Sequence, residues 1–252
     1  MLIHPTVDKL HRLGLAVMAR SLAEQDASAE LAALSFAERL GLLADRELTE
    51  RDNRQLKNRL RKAALRQGAC PEDIDHRHAR GLDKALVRQL ATCQWLRERH
   101  NVLISGPTGV GKTFIACALA HQACREGYSA LYLRLPKLLP ELALARGDGR
   151  HGRWMKTLNR TDLVVLDDYG LAAMTDEHRR DLLEILEERY ERRSTMVTSQ
   201  FPIEQWYGLI GDPTLADAIL DRLVHNAYRL TLKGESLRKQ RRKLTTAEEP
   251  NT

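Results

Sequence analysis

The chain has 252 residues, with 40 Lys and Arg against 34 Asp and Glu and a formal net charge of +6. That length is enough for one substantial domain and a smaller companion. With no run of about 18 apolar residues, and no charged start followed by an apolar core at Met1-Leu2-Ile3-His4-Pro5, the expectation is a cytoplasmic protein, neither membrane-spanning nor secreted.

Apolar residues at helical spacing predict a first helix from Pro5 to about Leu22. Ser35-Phe36-Ala37-Glu38 has the pattern of a capping box and predicts a second helix running to about Arg66. Its later half carries Arg51, Arg54, Lys57, Arg59, Arg61, Lys62 and Arg66 with few acids after Asp52. Pairing along the helix cannot neutralise that run, so Arg51, Arg54, Lys57 and Arg61 are candidates for contact with nucleic-acid phosphates. Gly68 to Gly81 has the composition of a linker, which sets an expected boundary between a helical domain, 1–70, and a second domain, 71–252. The cysteines Cys70, Cys93, Cys117 and Cys124 form no C-x2-C pair, which argues against a zinc site and fits a reducing compartment.

A helix from about Asp83 to Arg99 leads into the strand Asn101-Val102-Leu103-Ile104-Ser105. Next comes Gly106-Pro107-Thr108-Gly109-Val110-Gly111-Lys112-Thr113, a match to G-x-x-x-x-G-K-[ST] at every fixed position. Such a loop aims backbone N–H groups at a polyphosphate, while Lys112 supplies a mobile charge and Thr113 a hydroxyl for Mg2+. The apolar run after Thr113 predicts a helix whose N-terminus faces the phosphates. A second strand, Ser129–Leu135, and a short helix, Leu138–Ala145, follow. The glycine-rich stretch Arg146–Trp154 is expected to be mobile, either a plain surface loop or an arm that grips a phosphate backbone through Arg150, Arg153 and Lys156.

Asp162–Asp168 is an apolar strand ending in carboxylates, the arrangement that delivers acids to the ligand edge of an open α/β sheet. Asp167 is suited to hold Mg2+ and Asp168 to orient an attacking water. A helix from Asp176 to Arg193 precedes a fourth strand, Thr195–Ser199, where Thr198, Ser199 or Gln200 can reach toward a γ-phosphate. A helix at Pro213–Val224, a fifth strand at Tyr228–Leu232 and a basic tail from Arg238 complete the chain.

This order of elements resembles the AAA+ ATPases, and implies an α/β fold in which helices flank a five-stranded parallel sheet behind a small all-helical N-terminal domain. Leu166-Asp167-Asp168-Tyr169-Gly170-Leu171, Thr198-Ser199-Gln200-Phe201-Pro202, Gly211–Leu223 and Lys233–Arg238 are similar to IstB, the transposition helper ATPases related to the DnaC helicase loader. The likeness covers nearly the whole chain. It implies ATP and Mg2+ as ligands, Ser199 or Gln200 as the γ-phosphate sensor, and Arg238 as a late sensor arginine. It also implies that Arg222 reaches a neighbouring subunit's nucleotide, a role that Arg192 or Arg193 is placed to take instead. The expected partners are double-stranded DNA, further copies of the chain and a cognate transposase. Asp168 departs from the commoner Glu by one methylene.

Two other classes remain. A helicase loader that contacts single strands calls for aromatic stacking platforms, and only 5% of this chain is aromatic. A small-molecule kinase gives the basic N-terminal domain and the Gly-Glu-Ser-Leu-Arg end no purpose.

Overall fold

The computed structural model describes residues 5–77 and 80–237. The chain forms two compact units, Met1–Asn58 and Arg59–Thr252, so residues 59–70 pack with the second. No helix among the described residues is long and apolar enough to cross a membrane.

The first unit is helical: α1 (Pro5–Arg12), α2 (Ala16–Asp26), α3 (Ala29–Ala32) and most of α4 (Phe36–Ala63). The single helix expected over Pro5–Leu22 is two. Gly14 at φ +73° turns the chain between them, a conformation an L side chain resists. The capping box holds: Ser35 N–H donates to Glu38 Oε2 at 2.8 Å, and Glu38 N–H donates to Ser35 Oγ at 3.4 Å. Glu47 anchors the unit from within, accepting from the N–H groups of Val17 and Met18 at 3.1 and 3.0 Å.

The second unit contains α5 (Lys84–Ala91), α6 (Gln94–Arg97), β1 (Asn101–Ser105), α7 (Lys112–Arg125) and β2 (Ala130–Arg134). Then come α8 (Leu135–Gly147), α9 (His151–Arg160), β3 (Leu163–Tyr169), α10 (Asp176–Arg189) and β4 (Ser194–Ser199). The last elements are α11 (Trp206–Ile210), α12 (Pro213–Val224) and β5 (Ala227–Thr231). All five strands are parallel, in the order β2-β3-β4-β1-β5. Apolar runs such as Val102-Leu103-Ile104 and Val164-Val165-Leu166 are buried on both faces, as a covered parallel sheet requires. Leu103, Val164, Leu166 and Val197 pack with α8 to α12, whereas α7 lies against β1 to β4. Cys117 and Cys124 are buried in α7 as small apolar residues.

Two further expectations are corrected. The helix expected over Asp83–Arg99 breaks into α5 and α6 at Cys93, which takes φ +58°. The glycine-rich stretch is the end of α8, a three-residue turn and the start of α9, rather than a loop or arm. Gly147 closes α8, Gly149 turns at φ +77°, and Gly152 sits inside a helix with open space around it. Burial of Met155 and Leu158 fixes the helix, and Arg146 and His151 both meet the buried carboxylate of Asp181 on α10. Arg189, wholly buried, is satisfied by the carbonyls of Leu158, Thr161, Asp162 and Ser194, and burial pushes its guanidinium down to about 9. Within the expected linker His78 lies outside the described residues, as do the basic tail from Arg238 and its expected sensor arginine.

Candidate nucleotide site

β1 ends at Ser105 and the chain turns at once into the glycine loop. Gly106 is at φ +147° with Leu232 O so close that a Cβ would collide with it; Gly109, at φ +89°, meets Ser236 in the same way. The loop therefore nests under the segment after β5, whose Leu237 N–H donates to Gly109 O at 3.1 Å. Its outer side is held by Arg80, buried, whose Nη1 donates to Val110 O at 3.0 Å and Nη2 to Asp75 O at 2.8 Å. α7 begins at Lys112, so its first N–H groups and dipole face the loop's interior. Pro107, Thr108 and Gly109 complete a turn in which Thr108 Oγ1 donates to Gln200 Oε1 at 2.9 Å.

Lys112 Nζ folds back on the loop, donating to Gly106 O at 2.6 Å and Pro107 O at 2.8 Å. Burial lowers its pKa from the ordinary lysine value, while Asp167 and Asp168 act in the opposite direction. Thr113 Oγ1 donates toward both Asp167 oxygens, at 3.1 and 3.0 Å. Asp167 is fully buried and also accepts from the Tyr132 and Thr198 hydroxyls. Burial, then the Asp167 charge, pushes the Tyr132 phenol up, so it remains a donor.

Asp168 is set differently. Between Leu166 and Tyr169 the register of β3 against β4 slips, and Asp168 takes φ +65°. This bulge lets two consecutive acids serve one edge, where simple alternation would send them to opposite faces. Asp168 Oδ2 accepts from Arg134 Nε at 2.8 Å and lies 2.8 Å from Nη2 as an ion pair, and the Asp168 N–H donates to Thr198 Oγ1 at 3.3 Å. A cleft of about 690 Å3, on the scale of a nucleotide pocket, is lined by Lys112, Thr113, Arg134, Asp168, Gln200 and Leu237 among others.

These residues sit on a sheet, a loop and a helix whose sequence matches the family described as IstB-like ATP binding protein over residues 8–245. The chain belongs to the IstB-like family. It is 54% identical over 243 residues to the insertion sequence ATP-binding protein y4pL of Sinorhizobium fredii, covering 96% of this chain and 99% of that one. Its fold is similar to the crystal structure of DnaI, with a TM-score of 0.57 and 22% identity over 70% of this chain and 93% of that chain. Against the DnaC helicase loader the TM-score is 0.54, with 18% identity over 66% and 97%. The fold is that of the AAA+ P-loop NTPases.

In this IstB-like chain the remaining candidates lie as follows. Ser199 is buried, its hydroxyl donating to Tyr169 O at 2.9 Å, while Gln200 lines the cleft. Arg222 is apart from the loop: its carbonyl accepts from Asn101 Nδ2 at 2.9 Å, at the far end of β1. The strand puts roughly 13 Å between that end and the loop. Its guanidinium donates to Ala218 O at 2.9 Å and Glu187 Oε1 at 2.7 Å. Arg192 and Arg193 are exposed, beside Glu188 and Asp162 at 3.5 Å each. Arg51 is held by Glu47 at 2.8 Å and by Gly14 O at 3.2 Å; Arg54 lies 4.0 Å from Glu50. Arg150 pairs with Asp148 at 2.6 Å. Lys57 and Arg61 are exposed on α4, and Arg153 and Lys156 on α9, all four without an ion pair among the described residues.

Sequence reasoning did not single out Tyr132, Arg134, Arg66 or Arg80 for this site. The polar end of the β2 sequence was a usable signal for Tyr132 and Arg134, once β2 is known to lie beside β3. No local signal marks Arg66 or Arg80.

Proposed function

We propose that this protein is an ATP-hydrolysing, duplex-DNA-binding protein that assembles with copies of itself on target DNA, remodels it and assists a cognate transposase. The observation that carries this reading is the meeting of the glycine loop, the Thr113–Asp167 pair and the Arg134–Asp168 pair at one sheet edge. Membership of the IstB-like family, and the insertion-sequence name of its relative y4pL, supply the transposition context.

The residues fit Mg2+. Thr113 Oγ1 and the Asp167 carboxylate are adjacent hard oxygen donors, and the Tyr132 and Thr198 hydroxyls orient that carboxylate. Bound there, Mg2+ would neutralise charge on the outer phosphates. Loop N–H groups and the start of α7 bind the phosphate oxygens, and Lys112 exchanges two carbonyls for them. Asp168 orients the attacking water once it leaves Arg134. Gln200, tied to the loop through Thr108, reads the outer phosphate. Arg222, too far from its own loop, serves a neighbouring copy.

The helical unit Met1–Asn58 is assigned to DNA binding and assembly, and the unit Arg59–Thr252 to hydrolysis. Lys57, Arg61, Arg153 and Lys156 supply unpaired charge for duplex phosphates, with Arg51, Arg54 and Arg150 contributing if their acids release them. A cytoplasmic location belongs to the same reading and is supported by four free thiols.

The helicase-loader reading draws on the similarity to DnaI and DnaC. Trp154, the aromatic of the basic segment, is half-buried and packs against the core, which favours duplex over single strands. Anisotropy titrations of labelled duplex and single-stranded oligonucleotides test the choice. Tight binding to duplex of any sequence with ATP, and weak binding with ADP, is expected. Preference for single strands would transfer the protein to the loader class.

A further inference from the structure

Arg66 ends the basic run that the sequence assigns to DNA, yet its side chain lines the nucleotide cleft. The chain before it is fixed along α7. Arg59 Nε donates to Cys124 O at 2.8 Å near the end of that helix. Ala63 is fully buried, and Ala64 at φ +50° ends α4. The N–H groups of Arg66 and Gln67 then approach the buried thiol of Cys117, about two turns nearer the phosphate loop. The segment thus runs back along α7 and delivers Arg66 over the acids.

There Arg66 Nη1 is 3.9 Å from Asp167 Oδ2, and the Tyr132 hydroxyl lies beside the guanidinium. That carboxylate already accepts from Thr113, Tyr132 and Thr198, and 3.9 Å lies beyond hydrogen-bond range. A guanidinium has five N–H donors and no acceptor, so most of its donors remain for an anion in the cleft. Lys112 and Thr113, which line the same cleft, mark where the outer phosphate of a nucleotide would sit.

We infer that Arg66 contacts the γ-phosphate of ATP within its own subunit, so that the segment following α4 distinguishes ATP from ADP. This rests on the reading of the cleft as an ATP site. The contact links nucleotide state to the basic helix by three residues of chain, Ala64 to Arg66, without passing through the sheet.

The test is calorimetric titration of the 252-residue chain with Mg2+ and either a non-hydrolysable ATP analogue or ADP. Wild type is compared with Arg66→Gln and Arg66→Lys. Loss of a charge-assisted bond should weaken the analogue by about tenfold in Arg66→Gln. ADP affinity should stay within about twofold, which also certifies an intact cleft, and Arg66→Lys should recover part of the loss. If analogue and ADP weaken together, or the analogue binds unchanged or more tightly, Arg66 is not a γ-phosphate contact. Failure of the wild type to bind either nucleotide would instead overturn the ATP-site reading itself.

Discussion

Replacing Arg134 by Ala should raise ATP hydrolysis in the absence of DNA. In the structure Arg134 holds Asp168 Oδ2 by a hydrogen bond from Nε and an ion-pair contact from Nη2, each at 2.8 Å, and so engages the carboxylate that must otherwise orient water. The side chains are 33% and 26% exposed, so solvent screens the pair and the buried-pair magnitude does not apply. A partly exposed, charge-assisted interaction of this kind contributes about 1 to 1.5 kcal/mol. Freeing the carboxylate then raises its available fraction by roughly five- to twelvefold, the ceiling on the rate gain. Steady-state phosphate release at saturating ATP measures it. The Arg134→Ala, Asp168→Asn double variant should be as slow as Asp168→Asn alone, because Arg134 acts through Asp168. If Arg134→Ala slows hydrolysis as much as Asp168→Asn does, the arginine supports the reaction rather than restraining it, and the argument fails.

Lys112→Ala should weaken ATP by about 10- to 100-fold in a binding titration, whereas Asp168→Asn should leave affinity nearly intact; equal losses would remove this division of roles. Mixing Arg222→Ala with Lys112→Ala should restore part of the hydrolysis that each lacks, since a mixed interface pairs an intact arginine with an intact loop. Recovery from an Arg192 or Arg193 pair instead would move the trans arginine there. Arg153→Ala with Lys156→Ala should flatten log K against log[salt] for duplex DNA by about two units without changing sequence preference; an unchanged slope would make α9 a solvated face. Leu119→Ala in the fully buried face of α7 should cost about 2 to 5 kcal/mol in denaturant unfolding, and a loss below that range would contradict the packing described.

The elements around the glycine loop were the most legible. Val102–Ile104 and Val164–Leu166 are apolar runs because both faces of a parallel sheet are covered, and the glycine loop is constrained by backbone geometry that leaves few alternatives. Interruptions were harder to see. Cys93 and Ala64 adopt positive φ without being glycine, which no local pattern announces. In Arg146–Trp154, glycine content pointed to mobility, but burial of Met155 and Leu158 overrides that propensity. The pairing of Arg134 with Asp168 depends on strand order, and the approach of Arg66 to Asp167 depends on a path along α7. Neither relation has a spacing that could be read from the chain.

Electron microscopy of the 252-residue chain with a long duplex tests ATP-driven assembly on DNA most directly. With a non-hydrolysable ATP analogue, ordered oligomers should coat or encircle the duplex, and with ADP or Lys112→Ala they should be absent. Ordered assemblies of the same kind without nucleotide, or none on duplex with the analogue, would contradict the account.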